Sequence, residues 1–278
     1  MSVAAKFGAL LVVALALVAV FGDGLSGYRF DAQDTAHTLE GPSMRHLMGS
    51  DALGRDLFAR IAEGARVSLL IAVGSTALAL LIGLAYGGIS GYVGGRTDGA
   101  MMRVVDIFYS LPDVLVIVLL IEVFQAALSG VPDLYRRLLA LVFALGLVGW
   151  VAIARLVRGL ILQAREESWV EAARALGVRN RRLLLRHILP NISGPILVTI
   201  ALRIPAAILT ESTVSFIGLG IQPPFSSWGV LAADGFTAMR SYPHLILFPS
   251  LAILLALLGF HLLGEELRQR LDPRTRRG

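Results

Sequence analysis

Long apolar runs alternate along this chain with short polar segments. A helix needs about 20 apolar residues to cross roughly 30 Å of hydrocarbon, so each run reads as one membrane span. The runs extend from Val3 to Phe21, Val67 to Tyr92, Val104 to Leu128, Leu138 to Leu156, Ile192 to Ile217 and Leu245 to Leu263. An all-α, polytopic membrane protein with about six transmembrane helices follows from them. The first run is broken only by Lys6 and looks like a signal peptide, but the Ala-Val-Phe-Gly stretch at its end offers no small-x-small cleavage pattern. It reads as a retained helix.

The boundaries predict an N-terminal helix over 1–22, an extracytoplasmic segment over 23–66, a core membrane domain over 67–264 containing a polar loop at 165–191, and a tail over 265–278. Composition agrees, because 56% hydrophobic and 16% charged residues are values that a soluble domain of this length rarely shows. The net charge of +5 raises nucleic acid as a partner. The arginines, however, gather beside apolar runs with no aromatic-interleaved basic face, and so read as anchors at the lipid surface.

With the N-terminus inside, fifteen Arg and Lys fall on the cytoplasmic side against eight on the other. The positive-inside rule then places both termini and the 165–191 loop in the cytoplasm. That loop is more ordered than a linker needs to be. Ser168 followed by Glu171 fits a capping box. The stretch Ala172, Ala173, Arg174, Ala175 and Leu176 favours helix, Gly177 suits a left-handed stop, Asn180 suits a second cap, and Pro190 marks the entry to the next span. A short helix-turn-helix beneath the membrane is expected.

Further patterns point to close packing. Gly83, Gly87, Gly91 and Gly95 recur every four residues and predict a small-residue stripe on one helix face. Residues 94–98 read as a cytoplasmic turn, Pro112 as a kink in the third span, and the segment from Gly218 to Tyr242 as a non-spanning piece at the outer interface with Trp228 as its aromatic anchor. Among the charges within apolar runs, Glu122, Arg203 and Glu211 stand out. Arg203 lies about 18 Å beyond Asn191 along a helix. A lone charge there costs about 2.5 to 3.5 kcal/mol, so these groups are expected to face a translocation path or one another.

The chemistry of an enzyme is missing from these patterns. There is no cysteine, Lys6 is the sole lysine and follows no phosphate-binding loop, and the five histidines are scattered without metal-ligand spacing.

Glu171, Ala172 and Ala173, then Gly177, then Leu189 and Pro190, resemble the cytoplasmic EAA motif of ABC importer permeases. His187 departs from the general pattern, yet HILPN is similar to the form found in the dipeptide, oligopeptide and nickel subfamily. The stretches from His46 to Leu69 and from Ser215 to Gly235 resemble the same subfamily, and in particular its C-type permease subunit. The resemblance implies a type I importer architecture in which the 165–191 loop couples to a cytoplasmic ATPase. It also implies a homologous second permease, two ATPase subunits that hold ATP and magnesium, and an extracytoplasmic binding protein delivering peptides or a similar solute. Localisation would be the bacterial inner membrane. Two other readings remain open at this level, a secondary transporter driven by an ion gradient and a membrane anchor for a cytoplasmic complex. The former would be expected to show inverted repeats.

Overall fold

A computed structural model describes residues 2–271, and the elements found there are all helical. Helix α1 spans Val3–Ser26, α2 Leu57–Val93, α3 Gly95–Ser110, α4 Asp113–Ala127, α5 Asp133–Arg165, α6 Ser168–Ala175, α7 Asn180–Arg182, α8 Leu189–Asn191, α9 Ser193–Val214, α10 Trp228–Ala238 and α11 His244–Leu271. By length and composition, five of the described helices can cross a membrane, and α3 with α4, bent by 96° to one another, make a sixth when the pair counts as one span. Of the predicted tail, residues 272–278 lie outside the described residues.

The predicted kink at Pro112 is a complete break. Leu111 takes an extended conformation, φ −90° and ψ 143°, as a residue before proline prefers, and α4 restarts at Asp113 in a new direction. The second span also differs, since α2 begins ten residues before Val67. The Asp56 carboxylate accepts a hydrogen bond from the Ala59 amide at 2.8 Å and so caps the helix there.

At the centre, α2 lies against α5. A Cβ built on Gly87 would fall 2.3 Å from the Ala154 carbonyl oxygen, and one on Gly91 2.9 Å from that of Arg158. Only glycine allows this approach. Gly83 meets Ile153 in the same way, but Gly95 leaves the predicted stripe: it follows the end of α2, has φ +58° and faces open space. The predicted turn over 94–98 is mostly the first turn of α3. Asp98 there accepts two hydrogen bonds from the Arg158 guanidinium, each 2.5 Å, and one from Ser90.

Helix α1 packs across α11 and α2. The Ser2 amide and hydroxyl both donate to Glu266 near the far end of α11, at 3.1 and 2.7 Å, so both ends of the described chain lie together.

The segment before α2 is fastened by a buried polar network. Asp51 accepts from the Arg55 amide, from Arg55 Nε and from Arg60 Nη1, at 2.9, 2.7 and 2.7 Å, while His46 pairs with Asp56 at 2.9 Å. Trp228 is completely buried here, with its indole nitrogen donating to the Ile61 carbonyl at 3.1 Å. The expectation of an interfacial anchor is corrected. The ring fills the core between α2 and α10, where its polar edge finds a backbone acceptor.

Candidate functional site: the 165–191 loop and the intramembrane charges

The 165–191 loop folds as the expected helix-turn-helix, with its details shifted. Helix α6 starts one residue earlier than a Ser168 cap would allow. Glu167 takes the cap position, its carbonyl accepting from the amides of Val170 and Glu171 at 2.9 and 3.4 Å, and no side chain caps the helix. With Ser168 inside the first turn, the predicted Ser168–Glu171 capping box does not form. The far end of α6 follows the prediction closely. Gly177 has φ +78°, its amide donates to the Arg174 carbonyl at 2.9 Å, and the Val178 amide donates to that of Ala173 at 3.1 Å. This is a Schellman stop with glycine at the left-handed position.

Asn180 does not cap α7 either, since Arg179 holds that position. Its side-chain oxygen instead accepts from the Tyr92 hydroxyl at 2.8 Å, tying the loop to the end of α2. Arg165 reaches the same place and donates to the Gly91 carbonyl at 3.0 Å. Between α7 and α8 the chain widens into a π-helical stretch, Leu183–Ile188. Pro190 then sits in α8, and the Asn191 amide group donates back to the His187 carbonyl at 2.8 Å.

Two faces result. Val170, Leu183 and Ile188 are fully buried in one apolar cluster with Val157 and Ile161 of α5. On the other side Glu171, Ala172 and Gly177 are exposed, together with Trp169 and Leu176; Leu176 is 86% exposed. Ala173 and Leu189 are half-buried between the faces. A bulky leucine left in water on a loop this well anchored marks a surface with something to bury.

The three intramembrane charges are not brought together. Glu122 is exposed on α4, next to the exposed apolar residues Leu115, Leu119 and Val123. Glu211 is completely buried and is held by serines, with Ser68 and Ser215 hydroxyls donating at 2.9 and 2.7 Å and the Ser212 hydroxyl at 3.5 Å. Ser68 also accepts from the Trp228 amide at 3.3 Å, so Glu211 belongs to the packing of α2, α9 and α10. Arg203 lies elsewhere, on the wall of a cavity of about 250 Å³ bounded by α2, α4, α5 and α9. The charge beside it is Asp113, a residue that sequence reasoning passed over as part of an apolar run. The Pro112-Asp113 pair, a proline followed by a helix-starting acid, was the available signal.

Several known proteins are similar to this chain. Residues 79–277 match the family described as "Binding-protein-dependent transport system inner membrane component". The chain is 40% identical to the oligopeptide transport system permease protein OppC of Bacillus subtilis, covering 98% of this chain and 86% of that one. It is 39% identical to the dipeptide transport system permease protein DppC of the same organism, covering 98% and 82%. With the glutathione transport system permease protein GsiD of Pectobacterium atrosepticum it shares 35% identity, covering 99% and 87%. In fold it resembles a chain of the MetNI methionine ABC transporter in an inward-facing conformation, with a TM-score of 0.61 at 17% identity over 77% of this chain and 96% of that one.

Proposed function

This chain belongs to the family of inner-membrane components of binding-protein-dependent transport systems, and we propose that it carries peptides, with the 165–191 loop as its point of attachment to the ATPase. It is a permease subunit of an ABC importer, and ATP hydrolysis takes place on partner subunits. A second permease, an ATPase and a binding protein complete such a system. The finer assignment is two ATPase subunits holding ATP and magnesium, a homologous second permease lining the path together with this one, and an extracytoplasmic binding protein delivering a di- or oligopeptide.

The observation that carries the coupling role is the two-faced loop. Its inner face, Val170, Leu183 and Ile188, is locked to α5, and its outer face presents Glu171, Ala172, Leu176 and Gly177. A displacement applied to the outer face reaches the bundle because the inner face cannot slide in a close-packed cluster. Small residues admit a groove wall, and Leu176 is an anchor to bury in it.

Glu122 supports placing the second permease against α4. A charge facing lipid costs about 2.5 to 3.5 kcal/mol, whereas one facing another subunit finds a polar partner or water. Both termini and the loop are assigned to the cytoplasm of a bacterial cell from the arginine distribution.

The test is reconstitution of the four-component transporter in vesicles. Uptake of a labelled peptide that requires ATP and binding protein, and that is indifferent to an ion gradient, is the expected result. Uptake driven by a proton or sodium gradient without ATP would refute the assignment.

A further inference from the structure

Arg203 and Asp113 stand on the shared wall of two cavities. The larger, about 250 Å³, is lined by Ser75 and Thr76 of α2, Gly149 of α5 and Thr210 of α9; the smaller, about 60 Å³, is lined by Phe108 and Tyr109 of α3 and Ala152 of α5. Along α5 the smaller cavity lies nearer the 165–191 loop, and along α9 the larger one extends away from it. The two charges therefore mark the point where one compartment gives way to the other.

They do not neutralise each other by contact. Among the described residues Arg203 forms no ion pair or hydrogen bond, although Asp113 is a countercharge that acts on it across the same cavity wall. Thr76 adds a second unsatisfied group, because its hydroxyl is buried and without a partner while the residue lines the larger cavity. Gly149 explains the position of the guanidinium. A Cβ there would come 2.8 Å from Arg203 Nη2, so the missing side chain lets the cation rest against the α5 backbone. A half-buried arginine, an exposed carboxylate and a buried orphan hydroxyl face one cavity, where a polar ligand can satisfy all three.

We propose that Arg203 and Asp113 form a subsite for the charged termini of a zwitterionic peptide. The guanidinium donates charge-assisted hydrogen bonds to the terminal carboxylate, the Asp113 carboxylate accepts those of the terminal ammonium, and the Thr76 hydroxyl donates to a peptide oxygen. A zwitterion crossing the membrane loses water from both ends at once. Opposite fixed charges on the shared wall of the two cavities replace that water while adding no net charge to the path. The subsite rests on the peptide reading given above.

The experiment compares ATP-driven uptake of trialanine, trialanine amide and N-acetyl-trialanine by the complete transporter in vesicles, each at a concentration that saturates the binding protein. Within each variant the three substrates are ratioed to the parental protein, which cancels any preference of the binding protein. Arg203→Gln is expected to lower trialanine uptake by about tenfold or more while lowering amide uptake much less, the loss expected of one hydrogen-bonded charge. Asp113→Asn should spare N-acetyl-trialanine instead. Arg203→Lys should keep part of the parental preference, and Gly149→Ala should weaken trialanine uptake at near-normal abundance, since the 2.8 Å clash is with the end of the Arg203 side chain and Ala79 Cβ, 3.3 Å away, has to give by only a few tenths of an ångström. Equal loss of all three substrates in Arg203→Gln and Asp113→Asn, or no loss in either, would overturn the subsite and leave the peptide reading intact. Failure of the parental transporter to take up any of the peptides with ATP would overturn both.

Discussion

Gly177 offers the cleanest perturbation of the 165–191 loop. Its φ of +78° lies where a Cβ is penalised, yet a Cβ built there meets nothing within 4 Å. Any penalty in this chain is therefore one of backbone handedness and not of collision. A Cβ in the left-handed region costs about 1 to 2 kcal/mol, less for asparagine, which visits it more readily, and more for a β-branched residue. At 1.4 kcal/mol per factor of ten, alanine should reduce the population of the Schellman-stopped loop by about fivefold to thirtyfold, and valine further. The two hydrogen bonds at risk are those from the Gly177 and Val178 amides to Arg174 and Ala173. The assay is ATP hydrolysis stimulated by the binding protein, scored beside uptake and membrane abundance. The expected order of activity is Gly, Asn, Ala, Val, with abundance level across the series. Parental activity in Gly177→Val would refute the claim that this turn transmits force. Asparagine failing as badly as valine would show that side-chain volume against the partner governs the site, and the handedness argument would be wrong.

Three other expectations test the frame that holds the loop. Gly87→Val should lower abundance by forcing α2 away from α5, an overpacking cost of about 1 to 3 kcal/mol, whereas Gly88→Ala, whose Cβ meets nothing within 4 Å, should be neutral on an immunoblot. Asp98→Asn and Arg158→Gln should each reduce stability in a thermal-aggregation assay, and the double variant should recover part of the loss; two additive losses would mean that the pair drawn at 2.5 Å is not energetically coupled. Single cysteines at Thr35, Asn180 and Thr275, the last outside the described residues, should react with an impermeant thiol reagent from outside cells only at position 35, and external labelling at 180 would invert the proposed topology.

Much of the architecture was legible because the bilayer is a demanding solvent. Five apolar runs became continuous helices, and the third became a bent pair at the proline that announced it. Gly177 was legible for a similar reason, since few residues other than glycine hold a left-handed stop at low cost. What escaped were choices made by tertiary contacts. Trp228 sits in a proline-rich polar segment and reads as an interfacial ring, but the Ile61 carbonyl and the space between α2 and α10 draw it inside. Ser168 lost its capping role to a one-residue shift, because the backbone oxygen of Glu167 serves the same amides. Glu211 and Arg203 share a helix, and sequence spacing alone cannot tell that serines on α2 and α9 claim the first while Asp113, beyond a 96° bend, approaches the second.

The loop and the cavity are joined by one helix. Val170, Leu183 and Ile188 press on Val157 and Ile161 of α5, and Gly149, two turns back along that helix, forms the seat of the Arg203 guanidinium. Helix α2 runs alongside with its glycines on the α5 backbone, and is fixed to the loop by the Tyr92–Asn180 and Arg165–Gly91 hydrogen bonds. A push on the loop therefore moves α2 and α5 together, because close-packed glycine contacts do not shear without clashes. Helix α9, bearing Arg203, and helix α4, bearing Asp113, belong to the neighbouring walls of the cavity. A shift of the α2–α5 pair relative to them changes the shape of the cavity on whose wall the two charges stand. On this account a defect at Gly177 slows every peptide equally, since it weakens the drive, whereas a defect at Arg203 sorts peptides by their termini. The two classes of variant thus separate the coupling of this permease from its recognition of cargo.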